Sequence, residues 1–354
     1  MENKFELNYS GIIPQLLKDH NICVLLSTYQ AGKVIILSSK NNELFQTPIS
    51  FKKPMGIAIQ GSKLAVACMD EIIFFSKNEN ISSFVNNENN SYDSVYIERA
   101  SYTTSTLDIH DLEFGDGVIW GVNTLFSCLS IFDINFSHRP KWKPPFITKL
   151  VPEDRCHLNG MAFKDDIPKY VTALSIDDHY QGWRKDKLKS GVLIEVPSGE
   201  IILSNLSMPH SPRYYNDDLY VLESGSGKLI KVNTEGKSSE VVFDFKCFVR
   251  GLSFSNNLAF IGKSKIRENS TDFNQLEVKD NSLNAGLIIF CMQTLTVLGE
   301  VNYTAEIQEL FDIQILENST NAVIITKEIE EYRNIITFPG NVFKKLDSKI
   351  TPND

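Results

Sequence analysis

The sequence predicts an all-β fold, a single six-bladed β-propeller, and three observations carry that expectation. A strand-opening motif recurs six times, with 39 to 61 residues between copies counted at Gly56, Asp111, Gly160, Pro212, Gly251 and Asp312. Short strand patterns follow each copy, and four strands in roughly 40–50 residues is the signature of a propeller blade. Helical patterns are scarce, confined to residues 11–20 and 305–310.

Taken in order, residues 23–28 and 33–39 alternate as a hairpin turning on Gln30-Ala-Gly32. Second strands are expected at 64–68, 118–123, 170–175, 218–223, 258–262 and 322–326, and third strands at 72–76, 129–134, 191–196, 228–232, 286–291 and 334–338. Fourth strands fit 146–150, 201–206, 240–245 and 296–303, and none follows residue 338. The surplus N-terminal strands, with 44–47, can therefore supply outer strands and close the ring, removing a free sheet edge. The polar inserts 77–102 and 264–284 read as long loops. One domain spans 1–354: an N-terminal extension with a short helix over 1–22, the propeller over 23–342 and a tail over 343–354.

Composition narrows the function classes. The chain has 354 residues, 42% hydrophobic and 22% charged, with a net charge of −9. That charge opposes a nucleic-acid partner, and no apolar run is long enough to span a membrane. The N-terminus lacks the apolar core of a secretory signal, so a cytoplasmic location is expected. The six cysteines, at 23, 68, 128, 156, 247 and 291, form no paired motif and read as reduced core thiols, with Cys156 set apart by its neighbour His157.

Several stretches together carry a resemblance. Ser27-Thr-Tyr-Gln-Ala-Gly-Lys33, Trp120-Gly-Val-Asn-Thr-Leu-Phe-Ser-Cys-Leu129, Cys156-His-Leu-Asn-Gly-Met-Ala162, Met208-Pro-His-Ser-Pro-Arg213 and Gly262-Lys-Ser-Lys-Ile-Arg-Glu268 resemble an uncharacterised bacterial family, some members of which are fused to tetratricopeptide repeats. The resemblance covers roughly 25–338 and implies a β-propeller but no reaction. Gly121 departs from it, standing where a bulky strand residue is expected. The layout is more distantly similar to metal-dependent propellers such as gluconolactonases and peptide-amidating lyases, whose metal motifs have no residue-by-residue counterpart here.

The chemistry lies at the blade openings. Of six histidines, His110, His157 and His210 each stand just before an opening strand, whereas His20, His138 and His179 do not. Three neutral imidazoles converging near the channel would hold Zn, Fe, Cu or Mn with a position left for water or substrate. Their offsets from the alignment points differ (one, three and two residues), so a shared height does not follow from sequence. A single histidine beside a turn is more often a hydrogen-bonding residue than a ligand. Asp111 is a candidate partner fixing an imidazole tautomer, or a strand-start cap. Arg213 and Arg250 are candidate catalytic groups that anchor an anion, or else form ion pairs between blades. Asn123, Asn159, Lys263 and Arg267 are candidate substrate contacts.

Other motifs carry less. Glu223-Ser-Gly-Ser-Gly227 lacks the following helix of a phosphate loop, and Asp165-Asp166 and Asp177-Asp178 read as acidic turns. The leading expectation is a metal-dependent enzyme acting on a small anionic or peptide substrate by hydrolase, lyase or oxygenase chemistry. The alternative is a non-catalytic propeller that binds a peptide or protein partner.

Overall fold

The computed structural model describes residues 5–78, 80–85, 91–266, 276, 278, 283–339 and 341–344. Six sheets of four or five strands form the blades of a propeller. From the innermost strand outward, blade 1 is Ile57–Gln60, Lys63–Ala67, Glu71–Lys77 and Ser94–Thr103. Blade 2 is Ile109–Gly115, Val118–Asn123, Cys128–Ile131 and Arg139–Trp142. Blade 3 is Leu158–Lys164, Ile167–Ala173, Gly191–Glu195 and Ile201–Leu206. Blade 4 is Pro209–Tyr215, Asp218–Glu223, Lys228–Asn233 and Ser238–Asp244. Blade 5 is Val249–Ser255, Leu258–Lys263, Gly286–Cys291 and Thr296–Tyr303, with the N-terminal Leu7–Tyr9 added outside.

Turn chemistry sets the inner hairpins. In blades 2 to 5 they turn on two consecutive left-handed residues: Asp116-Gly117, Asp165-Asp166, Asn216-Asp217 and Asn256-Asn257. Asn, Asp and Gly tolerate that region best, and two such residues give the turn whose twist matches the strands. The acidic pair Asp165-Asp166 is therefore a hairpin tip.

The core lies between blades. In Ile22–Thr28 every residue is buried. Ile22, Val24 and Leu26 pack towards blade 5, while Cys23 and Leu25 pack towards blade 1. Both faces are covered, so the strand reads as a continuous apolar run instead of alternating with polar residues. All six cysteines are free thiols, and five are buried.

Closure differs from the sequence expectation. Blade 6 takes only its innermost strand, Ile313–Glu317, from the C-terminal part of the chain. Its second, third and fourth strands are Ile22–Thr28, Lys33–Lys40 and Glu43–Ser50. The strand Ala322–Ile325, expected second in blade 6, runs parallel to Ser94–Thr103 at the outer edge of blade 1. Residues 335–338 pair with 341–344 as a separate ribbon. Three smaller expectations are also corrected: 94–103 is a strand, the fourth strand of blade 2 is Arg139–Trp142 rather than 146–150, and 305–310 is not helical. The short helix is Ile13–Asp19. Most of the insert 264–284 lies outside the described residues.

Candidate functional site

One register position organises the channel. Ile109, Leu158, Pro209 and Val249 pair with Asn123, Ala173, Glu223 and Lys263 near the start of each inner strand. Just beyond that pair in blades 2, 3 and 5, and after one further pair (His210 with Leu222) in blade 4, the ladder slips as in a β-bulge, a device that re-aims a side chain beside a site. The residues at the slip are His110, Asn159, His210 and Arg250. Backbone bonds to Ala67 and Ser27 put Met55 and Phe311 at the same position in blades 1 and 6. Five of these six line one narrow cavity of about 10 Å3, room for about one water-sized group. The alignment point in blade 4 thus moves from Pro212 to Ser211, and His210 stands level with His110.

Two residues before this position the chain is left-handed in four blades, at Lys53, Asp108, His157 and Met208, with φ of 50°, 52°, 52° and 49°. Non-glycine residues enter that region rarely, and here the turn has a use. The carbonyls of Asp108 and Met208 accept hydrogen bonds from Nδ1 of His110 and His210, at 3.0 and 2.9 Å. Thr124 Oγ1 and Ser224 Oγ lie 2.8 and 3.0 Å from the same nitrogens. Since a carbonyl only accepts, both rings carry the proton on Nδ1, and Nε2 keeps its lone pair. His157 sits at the upper, left-handed position. Its Nδ1 is 3.0 Å from the Asp154 carboxylate, which also accepts from Trp183 Nε1 at 2.8 Å. The His110 and His157 rings meet edge to face with centroids 4.8 Å apart. Among the described residues, no three His, Cys, Asp or Glu side chains stand as a preformed metal-binding group.

Burial holds His110 and His210 well below the ordinary imidazole range, with the Arg250 charge adding to it in both and His157 also lowering His110. Both rings are therefore neutral at physiological pH.

Beneath the cavity the even-numbered blades grip the next blade in the ring. Asp111 Oδ2 accepts from Met161 N at 3.0 Å, Ser211 Oγ from Gly251 N at 3.1 Å and Asp312 Oδ2 from Ile57 N at 2.8 Å. The odd-numbered blades carry glycine at the same level. A Cβ on Gly56 would lie 2.9 Å from the Asp111 backbone, and one on Gly160 would lie 2.5 Å from the Pro212 ring. The ring is thus built from three pairs of blades. Arg213 crosses this floor. Its Nη1 and Nη2 donate to the two Asp111 oxygens at 2.8 and 3.0 Å, Nη1 also to Met161 O at 2.9 Å, and Asp312 Oδ1 lies 3.7 Å from Nη2. Burial alone would lower the Arg213 pKa, but Asp111 and Asp312 outweigh it and raise it. Burial, with Asp111 beside it, also raises the Asp312 carboxyl, and burial pushes Glu113 up to about 7.

Several expected residues thus change role. Arg213 is the inter-blade ion pair, not a free anion anchor, because its fork is filled by Asp111. Asp111 serves Arg213 and Met161 instead of an imidazole. Asn123 is fully buried and its Oδ1 accepts from Phe126 N at 3.1 Å, ending a strand away from the cavity. Lys263 pairs with Glu300 at 2.6 Å, two strands outward in its own blade. Arg267 lies outside the described residues. The Cys156 thiol is buried and pushed up to about 12 by that burial, so it is inert. Arg250 and Asn159 remain at the cavity. The Arg250 guanidinium lies 3.5 Å from the Phe311 ring centroid, and Asn159 turns Oδ1 to the Thr172 hydroxyl at 2.6 Å.

Sequence reasoning missed Ser224, Asp154, Trp183 and Phe311, and took Thr124 as a polar contact beside Asn123 without linking it to His110. A signal existed for Thr124 and Ser224, since each hydroxyl follows its histidine by 14 residues.

Comparison with known proteins agrees with the fold. Among curated proteins no relative matches the chain. A chain in a solved crystal structure of a nidogen/laminin complex is similar with a TM-score of 0.53 at 12% identity, covering 84% of this chain and 99% of that one. At that identity the likeness concerns architecture alone. A family model matches residues 12–325, and the chain belongs to the family described as a domain of unknown function (DUF4915).

Proposed function

We propose that the protein is a metal-dependent enzyme of the bacterial cytoplasm whose site is the mouth of the propeller channel. His110, His157 and His210 would hold a divalent transition metal (Zn, Fe, Cu or Mn) through Nε2. One observation supports this above the rest: each imidazole already has Nδ1 engaged by an acceptor. That is the outer support metal-ligating histidines need, because it fixes the tautomer and aims Nε2. Burial keeps His110 and His210 in the neutral form that binds metal. A bound ion would supply Lewis acidity and an activated water, on which hydrolase, lyase and oxygenase reactions draw. This chain's own groups would position a small anionic or peptide substrate at the cavity.

A second reading has its own support. The three imidazoles occupy two heights, and no three ligands among the described residues are preassembled. A non-catalytic propeller that binds a peptide or protein at this mouth agrees with that, and with the tetratricopeptide fusions implied by the family resemblance, since those repeats are interaction modules.

Elemental analysis after chelator-free purification separates the two. The enzyme reading expects about one metal per chain in wild type and its loss in His157→Ala. No bound metal after reconstitution with Zn, Fe, Cu and Mn overturns it.

A further inference from the structure

We propose that Arg250 and Asn159 form the binding site for the single carboxylate of a small monocarboxylic acid. The inference rests on reading the channel mouth as a ligand site, but not on a metal being there. Two arginines approach the channel and their situations differ. Arg213 is filled by Asp111, whereas Arg250 has no carboxylate within ion-pair distance among the described residues; Glu309 and Asp312 act on it only from further away. Its guanidinium rests against the Phe311 ring, so its N–H fork is held while its charge is unanswered. Burial lowers its pKa to about 10, which still leaves it a cation at neutral pH.

The second observation is independent. Asn159 is 4% exposed, lines the same cavity, and its Nδ2 has no hydrogen-bond partner among the described residues. A buried amide nitrogen without an acceptor costs stability unless a ligand supplies one. A fork and an amide, both donors, suit a planar two-oxygen anion.

Charge selects among anions. Among the described residues lining the cavity, Arg213 is taken by Asp111, which leaves Arg250 as the arginine there without an ion-pair partner. The floor adds Asp111 and Asp312, which repel a dianion more than a monoanion. A carboxylate is therefore favoured over a phosphate.

The test is calorimetric titration of the chelator-treated full chain at fixed ionic strength with acetate, glycolate, pyruvate, inorganic phosphate and neutral acetamide. At least one carboxylate is expected to bind saturably, with acetamide silent and phosphate weaker. Arg250→Gln should weaken binding by at least about 30-fold, the loss of a charge-assisted pair. Asn159→Asp, which offers Arg250 an internal carboxylate, should abolish it and serves if Arg250→Gln does not fold. Absence of binding by all three acids, equal binding in either folded variant, or preference for phosphate overturns the proposal. The titration uses chelator-treated chain, so failure of the metal reading alone leaves this one standing.

Discussion

Arg213 and Asp111, 102 residues apart in the chain, meet through two parallel hydrogen bonds of 2.8 and 3.0 Å across the floor of the channel. Arg213 comes from blade 4 and Asp111 from blade 2, so the pair spans blade 3, whose Met161 N and O it also satisfies. Removing the cation would leave buried acids without an answer. Arg213→Gln is expected to destabilise the fold by about 3–5 kcal/mol, read by urea unfolding. An unchanged midpoint would show that the pair is dispensable.

Ser27 joins the two ends of the ring. Its hydroxyl donates to Met55 O at 2.6 Å in blade 1 and accepts from Asp312 N at 3.0 Å in blade 6. Ser27→Ala leaves both groups buried and unpaired, at a cost of about 1–3 kcal/mol by the same measurement. A change within error would mean that packing alone closes the ring.

The channel also sets a pH dependence. His110 and His210 have depressed values in the folded state, so their stabilising contribution is present above the unfolded value of about 6.5 and is lost as pH falls below it. Glu113 is raised to about 7, which acts the other way: the folded state keeps a proton the unfolded chain releases, so stability falls as pH climbs from about 4 to 7. Glu113→Gln should therefore gain on wild type as pH rises through that window. Unfolding curves at about pH 5 and pH 8 check the sign, and a gain confined to the acid side contradicts the assignment.

Asp154 holds both His157 Nδ1 and Trp183 Nε1. If the imidazoles bind metal, Asp154→Asn should weaken that affinity about 10–100-fold and alter Trp183 fluorescence. Intact affinity with altered fluorescence would confine Asp154 to a structural role.

The fold was legible because blade openings, turn residues and strand lengths repeat locally. The pairing of inner strands with their neighbours, and the N-terminal strands as part of the closure, follow from that repetition. What sequence did not reveal depends on partners far apart in the chain. Ala322–Ile325 has a strand pattern, but nothing in it says that its neighbour is Ser94–Thr103. Arg213 and Arg250 look alike as blade-opening arginines, and only the fold shows one filled by Asp111 and the other stacked on Phe311. Gly121 looked like a gap, yet a Cβ there would lie 2.8 Å from the Phe132 ring and 3.0 Å from Ile109. Neighbouring side chains already fill the space.

The closure of blade 6 has a consequence in time. Ile22–Thr28 leaves the ribosome well before the strand that covers its inner edge, and both of its faces are apolar. Its innermost neighbour, Ile313–Glu317, is synthesised nearly 300 residues later. At translation speeds of about 5–20 residues per second, the N-terminal hairpin waits tens of seconds for that strand, and blade 5 on one side emerges long after blade 1 on the other. Until then its greasy faces are open to other chains, so a nascent polypeptide of this design depends on something to shield them while it is being made.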